Sequence, residues 1–107
     1  MTDSDEMLQV AMQLIIHGGN AKGQGLLAIK AAKAGNFDEA EAALAAGHQA
    51  LKEAHDVQTG LLTDAANGVD VPLNLYLIHG QDHLMAGITT LDLATEIVDV
   101  YRKLEEK

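Results

Sequence analysis

The chain has 107 residues, a formal net charge of −9 and no cysteine. This length predicts a single domain over residues 1–107, and the missing cysteine excludes disulfides, a thiolate nucleophile and a cysteine–zinc site. The excess of acidic side chains repels phosphate backbones and anionic membranes, which argues against nucleic-acid binding. Because the sequence starts with acidic residues and no apolar run approaches the roughly 18 residues that span a bilayer, we expect a soluble cytoplasmic protein without membrane insertion.

The first third of the sequence predicts a helix that is interrupted near its middle. Ser4 is a candidate N-cap, and the apolar residues that follow recur at helical spacing. Several glycines fall inside this segment, and each costs about 1 kcal/mol relative to alanine in a helix. We therefore predict a kink or local break at His17–Asn20, after which the helix resumes to Ala34. Gly35 follows as a C-terminal cap.

Two further helices are predicted downstream. The second runs from about Asp38 to Ala66, is rich in alanine and glutamate, and has one apolar side. Pro72 suits the first turn of a third helix, which runs to about Leu104. Three helices of similar length joined by short loops predict an all-α, up-down-up antiparallel bundle.

The third helix carries a carboxylate among apolar side chains. At about 100° per residue, one stripe forms an ordinary core face: Leu77, Leu84, Ile88, Leu91, Thr95 and Val98. A second stripe contains Ile78, Asp82, Met85 and Thr89. Because a desolvated lone carboxylate is costly, Asp82 needs a partner, a proton, a metal or a symmetry-related neighbour.

A third stripe of the same helix contains two histidines. His79 and His83 are four residues apart and point the same way, and Ala86 and Thr90 leave room beside them. A neutral imidazole can accept a phosphoryl group, and Gln81 and His83 could donate hydrogen bonds to its oxygens. Two partly exposed surface histidines, or a transition-metal site with further ligands, are the other interpretations.

Three segments of the chain resemble one protein family. His79–Met85, with the sequence HGQDHLM, resembles the phosphorylation-site signature of the lactose/cellobiose-specific enzyme IIA proteins of the bacterial phosphotransferase system. Glu53–Thr59 is similar to the second-helix signature of this family, and Gly35–Asp38 is similar to its first loop. The likeness covers essentially the whole chain, in the same order and spacing.

The resemblance implies a function and an assembly. His79 would accept a phosphoryl group from HPr and pass it to a cysteine of enzyme IIB, which couples it to the uptake and phosphorylation of a β-linked disaccharide of the lactose or cellobiose type. The subunits would form a homotrimer, a nine-helix bundle, in which three copies of Asp82 share a divalent metal, usually magnesium, at the threefold axis.

Two alternatives to this function stay open. One is a regulatory phosphoprotein of the same family that is not coupled to transport. The other is a structural trimer with an incidental pair of histidines, although the presence of both His79 and Asp82 argues against it.

Some polar residues also keep two interpretations. His55, Gln58 and Thr59 either line the phosphate cleft or form structural hydrogen bonds, of which we favour the second. His17 lies either near the cleft or on the surface of a kinked helix.

Overall fold

The computed structural model describes residues 3–107, with side chains from Asp5 onward. It contains three helices: α1 spans Asp3–Lys33, α2 spans Phe37–Ala66 and α3 spans Leu75–Glu105. They pack as an elongated bundle of 57 × 22 × 18 Å, which confirms the predicted all-α, up-down-up architecture. Ser4, the candidate N-cap, lies within α1, which begins one residue earlier at Asp3, so this prediction is wrong. Over residues 3–107, no helix is both long enough and apolar enough to cross a membrane.

The predicted break in the first helix is wrong, because α1 runs without interruption through His17–Asn20. Two of its glycines face α3 at distances that leave little room for a side chain. A Cβ on Gly18 would lie 2.7 Å from the backbone carbonyl carbon of His83, and one on Gly25 would lie 3.2 Å from Cγ2 of Thr90. The glycines therefore allow close packing of the two helices, which offsets their propensity cost of about 1 kcal/mol each.

Helix α3 contributes glycines to the same contact. A Cβ on Gly87 would lie 2.7 Å from the carbonyl oxygen of Gly18, and one on Gly80 would lie 3.0 Å from the carbonyl oxygen of Ala11. The largest fully buried side chains among residues 5–107 are Leu14, Leu84 and Leu91. Helices α1 and α3 thus pack in parallel along most of their length, and α2 runs antiparallel beside them.

Both interhelical loops have a glycine in the left-handed region two residues after the helix ends. Gly35 has φ of 83° and Gly68 has φ of 80°. At the first loop, Asn36 N–H donates to the carbonyl oxygen of Ala31 at 2.8 Å, which is the Schellman pattern of helix termination. The predicted glycine cap after α1 is therefore confirmed, and α2 ends at Ala66 as predicted.

The third helix begins at Leu75, so the prediction that it starts near Pro72 is wrong. Asn74 is the N-cap, and its Oδ1 accepts a hydrogen bond from the backbone N–H of Leu77 at 2.8 Å. This bond satisfies one of the free N–H groups of the first turn, which a proline three residues before the helix cannot do. The later start leaves the three stripes of α3 unchanged, because every residue in them, from Leu77 onward, lies within the helix.

Candidate functional site

His79 and His83 are in contact on one face of α3. Their Nε2 atoms lie 3.1 Å apart, and the rings meet edge to face with centroids 4.5 Å apart. One nitrogen must donate and the other must accept, so the accepting ring carries its hydrogen on Nδ1. His79 is exposed and His83 is half-buried. The structure thus places the predicted phosphoryl acceptor within reach of a partner and directly beside a second imidazole.

Helix α1 forms the wall behind this pair. Gly18 allows the backbone of α3 to approach at His83, and a Cβ on Gly19 would lie 3.6 Å from Nδ1 of His83. Ala86 and Thr90 are half-buried and continue the histidine stripe along α3. The predicted stripe is present, and it is bordered by glycines and other small side chains.

Gln81 lies on the other side of α3. Its Oε1 accepts a hydrogen bond of 2.7 Å from Nε2 of Gln58 on α2, and both side chains are half-buried. Two residues along a helix turn the side-chain direction by roughly 200°, so Gln81 does not share a face with His79. Within one chain, the structure does not bring Gln81 to the histidine pair. Gln58 has the structural hydrogen bond that we favoured for it.

The other two histidines with open roles lie on other surfaces. Nδ1 of His17 is 3.1 Å from Oε2 of Glu53, and its Nε2 is 3.0 Å from Oε1 of Gln13. His17 therefore belongs to the contact between α1 and α2. His55 and Thr59 are both exposed on α2, and neither side chain makes a hydrogen bond with another described residue, so the structural bonds that we favoured for these two are not present.

Asp82 is exposed in the single chain and lies between Ile78 and Met85, whose side chains are 50% and 53% exposed. In residues 3–107, no group of three or more His, Cys, Asp or Glu side chains is placed to hold a metal ion. Carboxylate oxygens are suitable ligands for magnesium, but Asp82 is not joined by other such side chains within the described part of the chain. A protein-bound metal at Asp82 would therefore need further ligands from outside the single chain.

The structure is an elongated three-helix bundle that exposes a histidine, His79, on its third helix, and an imidazole is a side chain that can carry a covalently bound group. Residues 9–102 match the family described as "PTS system, Lactose/Cellobiose specific IIA subunit". The chain belongs to this family and is therefore a phosphotransferase component. The resemblance inferred from the three sequence segments is confirmed.

Similar proteins cover almost the whole chain. The "PTS system cellobiose-specific EIIA component" of Lactococcus lactis subsp. lactis is 51% identical over 102 residues, which are 95% of this chain and 88% of that protein. The crystal structure of the PTS cellobiose-specific enzyme IIA from Bacillus anthracis is 41% identical, has a TM-score of 0.92, and is matched over 100% of this chain and 95% of that one. The solution structure of the IIA(Chitobiose)–HPr complex of Escherichia coli has a TM-score of 0.79 at 37% identity, over 92% of this chain and 96% of that one.

Proposed function

We propose that this protein accepts a phosphoryl group on His79 from phosphorylated HPr and passes it to the cysteine of an enzyme IIB. This transfer would couple phosphorylation of the protein to the uptake and phosphorylation of a β-linked disaccharide of the lactose or cellobiose type. The observation that carries the proposal is the exposed imidazole of His79 with Nε2 of His83 at 3.1 Å. The chitobiose relative solved in complex with HPr supports the identity of the donor.

The geometry suits a neutral nucleophile. We assign the shared hydrogen to Nε2 of His83, so that Nε2 of His79 carries no proton and accepts the hydrogen bond through its lone pair. This hydrogen bond breaks as the lone pair is used for attack. When this lone pair attacks phosphorus, a new N–P bond forms, the N–P bond of the donor breaks, and its electron pair returns to the donor imidazole. No proton has to leave Nε2 of His79, and the N–H of His83 becomes available to a phosphoryl oxygen. In the second transfer, a cysteine sulfur of enzyme IIB replaces the imidazole on phosphorus.

The proposal includes assembly into a homotrimer. Helix α3 has an exposed apolar stripe opposite its core face, in which Ile78, Met85, Leu93 and Val100 are between 50% and 57% exposed. Two opposite apolar faces are typical of a helix that packs against other helices on both faces. Three copies joined through this stripe would form a nine-helix bundle with three Asp82 carboxylates at its axis. A divalent cation, which we take to be magnesium, would bind these carboxylates and offset their repulsion.

A trimer also gives Gln81 a role in phosphoryl transfer. In a ring of three parallel helices, one flank of each helix meets the opposite flank of the next. His79 lies on one flank of the exposed stripe and Gln81 lies on the other. Gln81 of one copy would thus be directed toward His79 of the next copy, where its amide N–H groups can donate to the phosphoryl oxygens.

Phosphorylation with defined components tests the proposal. Wild-type protein is incubated with phosphoenolpyruvate, enzyme I and HPr, and its intact mass is then measured. We expect one phosphoryl group per chain, none on His79→Ala, and slower uptake by His83→Ala. His55→Ala is the matched control, since His55 is exposed on another helix. Undiminished uptake by a folded His79→Ala variant would refute the assignment.

Addition of enzyme IIB separates the transport and regulatory functions. A transport component loses its phosphoryl group to the cysteine of IIB within the same reaction. A phosphorylated protein that does not transfer to the IIB encoded beside it would support the regulatory alternative.

A further inference from the structure

The hydrogen bond between Gln58 and Gln81 links the side chains of α2 and α3. Its N···O distance is 2.7 Å, and both side chains are half-buried. Gln81 lines a cavity of about 520 Å³ between α2, the following loop and α3. Most of the other lining side chains are apolar, among them Leu61, Leu62, Val71, Leu77 and Ile78. Apolar surroundings offer an amide few other hydrogen bonds, so Gln58 has a strong influence on the orientation of Gln81.

We infer that Gln58 is a positioning residue, which binds the oxygen of the Gln81 amide and thereby presents the NH₂ group of Gln81 to the phosphoryl group. This inference rests on the proposed function, in which Gln81 donates to the phosphoryl group on His79 of the next copy. Nε2 of Gln58 donates to Oε1 of Gln81, which leaves both N–H groups of Gln81 free of this bond.

The orientation of the amide matters because its two ends have nearly the same shape and opposite hydrogen-bonding character. A phosphoryl group presents acceptor oxygens, so it needs the NH₂ end of Gln81. An amide turned by 180° would instead present its carbonyl oxygen to the phosphoryl oxygens and repel them. Gln58 and the phosphoryl group thus bind opposite ends of one amide, and each favours the orientation that the other requires.

Three substitutions at residue 58 separate this role from simple packing. Gln58→Glu offers only acceptors when ionised, so Gln81 should turn its NH₂ group inward. Gln58→Lys offers only donors, so it should preserve the native orientation of Gln81. Gln58→Ala removes the bond without favouring either orientation. Thr59→Glu and Thr59→Lys are the charge controls, because Thr59 is the adjacent, exposed residue of α2.

The rate of phosphorylation by phospho-HPr is measured for each variant after circular dichroism has confirmed its helical content. We expect Gln58→Lys to stay near the wild-type rate, Gln58→Ala to be moderately slower, and Gln58→Glu to be slower by about 10-fold or more, the value of a hydrogen bond to a charged group. The Thr59 variants should stay near the wild-type rate.

Nuclear magnetic resonance of the Gln81 side-chain amide gives a second readout, which a packing role would not affect. Phosphorylation should shift this signal in the wild type and in Gln58→Lys, and should leave it nearly unchanged in Gln58→Glu. If Gln58→Ala is as slow as Gln58→Glu, or Thr59→Glu is equally slow, the inference is overturned. If the wild-type protein takes no phosphoryl group on His79, the proposed function is overturned. If the wild-type protein is phosphorylated on His79 and Gln58→Glu is phosphorylated at the same rate, only this inference is overturned.

Discussion

Helix α3 has two opposite apolar faces, and only one of them is covered within the chain. The inner face contains Gly80, Leu84, Gly87 and Leu91, which are all buried. The outer face contains apolar side chains of similar character, yet Ile78, Met85, Leu93 and Val100 are each at least half exposed. The difference lies in the partner, because α1 supplies glycines and alanines that fit the inner face closely. The inner face therefore stabilises the fold, and the outer face is available for assembly.

The histidine pair lies between these two faces. His83 adjoins α1 at Gly18 and Gly19, whereas His79 is exposed one turn earlier in the helix. Substitutions on the inner face should therefore act on the free energy of unfolding, and substitutions on the outer face should act on association between copies. This distinction can be tested at single residues.

The largest expected effect is on the inner face, at Gly18. In Gly18→Ala, the new Cβ would lie within 2.8 Å of three backbone atoms of α3, which cannot rotate away as a side chain can. Because such overpacking typically costs 1–3 kcal/mol, we expect the free energy of unfolding to fall by about 2 kcal/mol. For a domain of this size the loss corresponds to a decrease in Tm of roughly 10 °C, measured at constant protein concentration.

Gly23→Ala is the matched control for this substitution. Gly23 is an exposed residue of the same helix, and a Cβ there would meet no atom within 4 Å. Alanine should therefore stabilise the protein by up to about 1 kcal/mol through its higher helix propensity. Similar increases in Tm for both variants would show that α1 and α3 are not in close contact at Gly18.

A smaller effect is expected on the outer face, at Asp82. Three carboxylates at about 4 Å would repel by about 4 kcal/mol per pair at an effective dielectric constant near 20, so a central cation should be required. We expect chelation of divalent metals to weaken the wild-type trimer in sedimentation equilibrium. Asp82→Leu should form a trimer that is insensitive to chelator and as tight as the wild type or tighter by about 1 kcal/mol, because apolar packing replaces a charged cluster.

Asp56→Leu provides the control for this substitution, because Asp56 lies on the polar surface of α2 and pairs with exposed Lys52. It should keep the chelator sensitivity of the wild type. A wild-type protein that sediments as a monomer at high micromolar concentration with metal present would refute the trimer. A wild-type trimer that is indifferent to chelator would remove the metal from the proposal and leave the trimer in place.

The sequence predicted the number, order and approximate ends of the helices, because these depend on local pattern and on the glycine caps. It misassigned the glycines of α1, because their propensity cost is local whereas the gain comes from α3, whose position a local pattern does not give. A signal was available: Gly18 and Gly25, and likewise Gly80 and Gly87, are seven residues apart, which is two helical turns. Each pair therefore shares one face.

The contact between the two histidines of the candidate site was predictable from the sequence, but the hydrogen bond between Gln58 and Gln81 was not. The spacing of His79 and His83 placed both on one face, and the structure shows them in contact. The hydrogen bond between Gln58 and Gln81 joins residues that are 23 positions apart on different helices, so its prediction required knowledge of how α2 packs against α3.

The start of α3 was misplaced for a different reason. Both Pro72 and Asn74 are residues that favour a helix start, and only the structure decides between them.

The smallest effect is expected at the start of α3, close to the site. Asn74→Ala removes the acceptor for the N–H of Leu77, so we expect a loss of about 1 kcal/mol in the free energy of unfolding, measured by urea denaturation. Asn36→Ala is the matched control, because Asn36 has the same position before α2 but makes no side-chain capping bond, and its loss should be a few tenths of a kcal/mol at most.

Hydrogen exchange locates this effect in the helix. In Asn74→Ala, the N–H of Leu77 loses its hydrogen-bond acceptor and should exchange faster, while the buried middle of α3, around Leu91, should keep its protection because α1 covers it. Asn74→Asp, which retains a capping oxygen, should restore most of the protection at Leu77. Equal losses of stability in Asn74→Ala and Asn36→Ala would show that Asn74 acts through its backbone rather than through its side chain. Because His79 is little more than one turn from the cap, fraying of this turn should also slow phosphorylation in Asn74→Ala but not in Asn74→Asp.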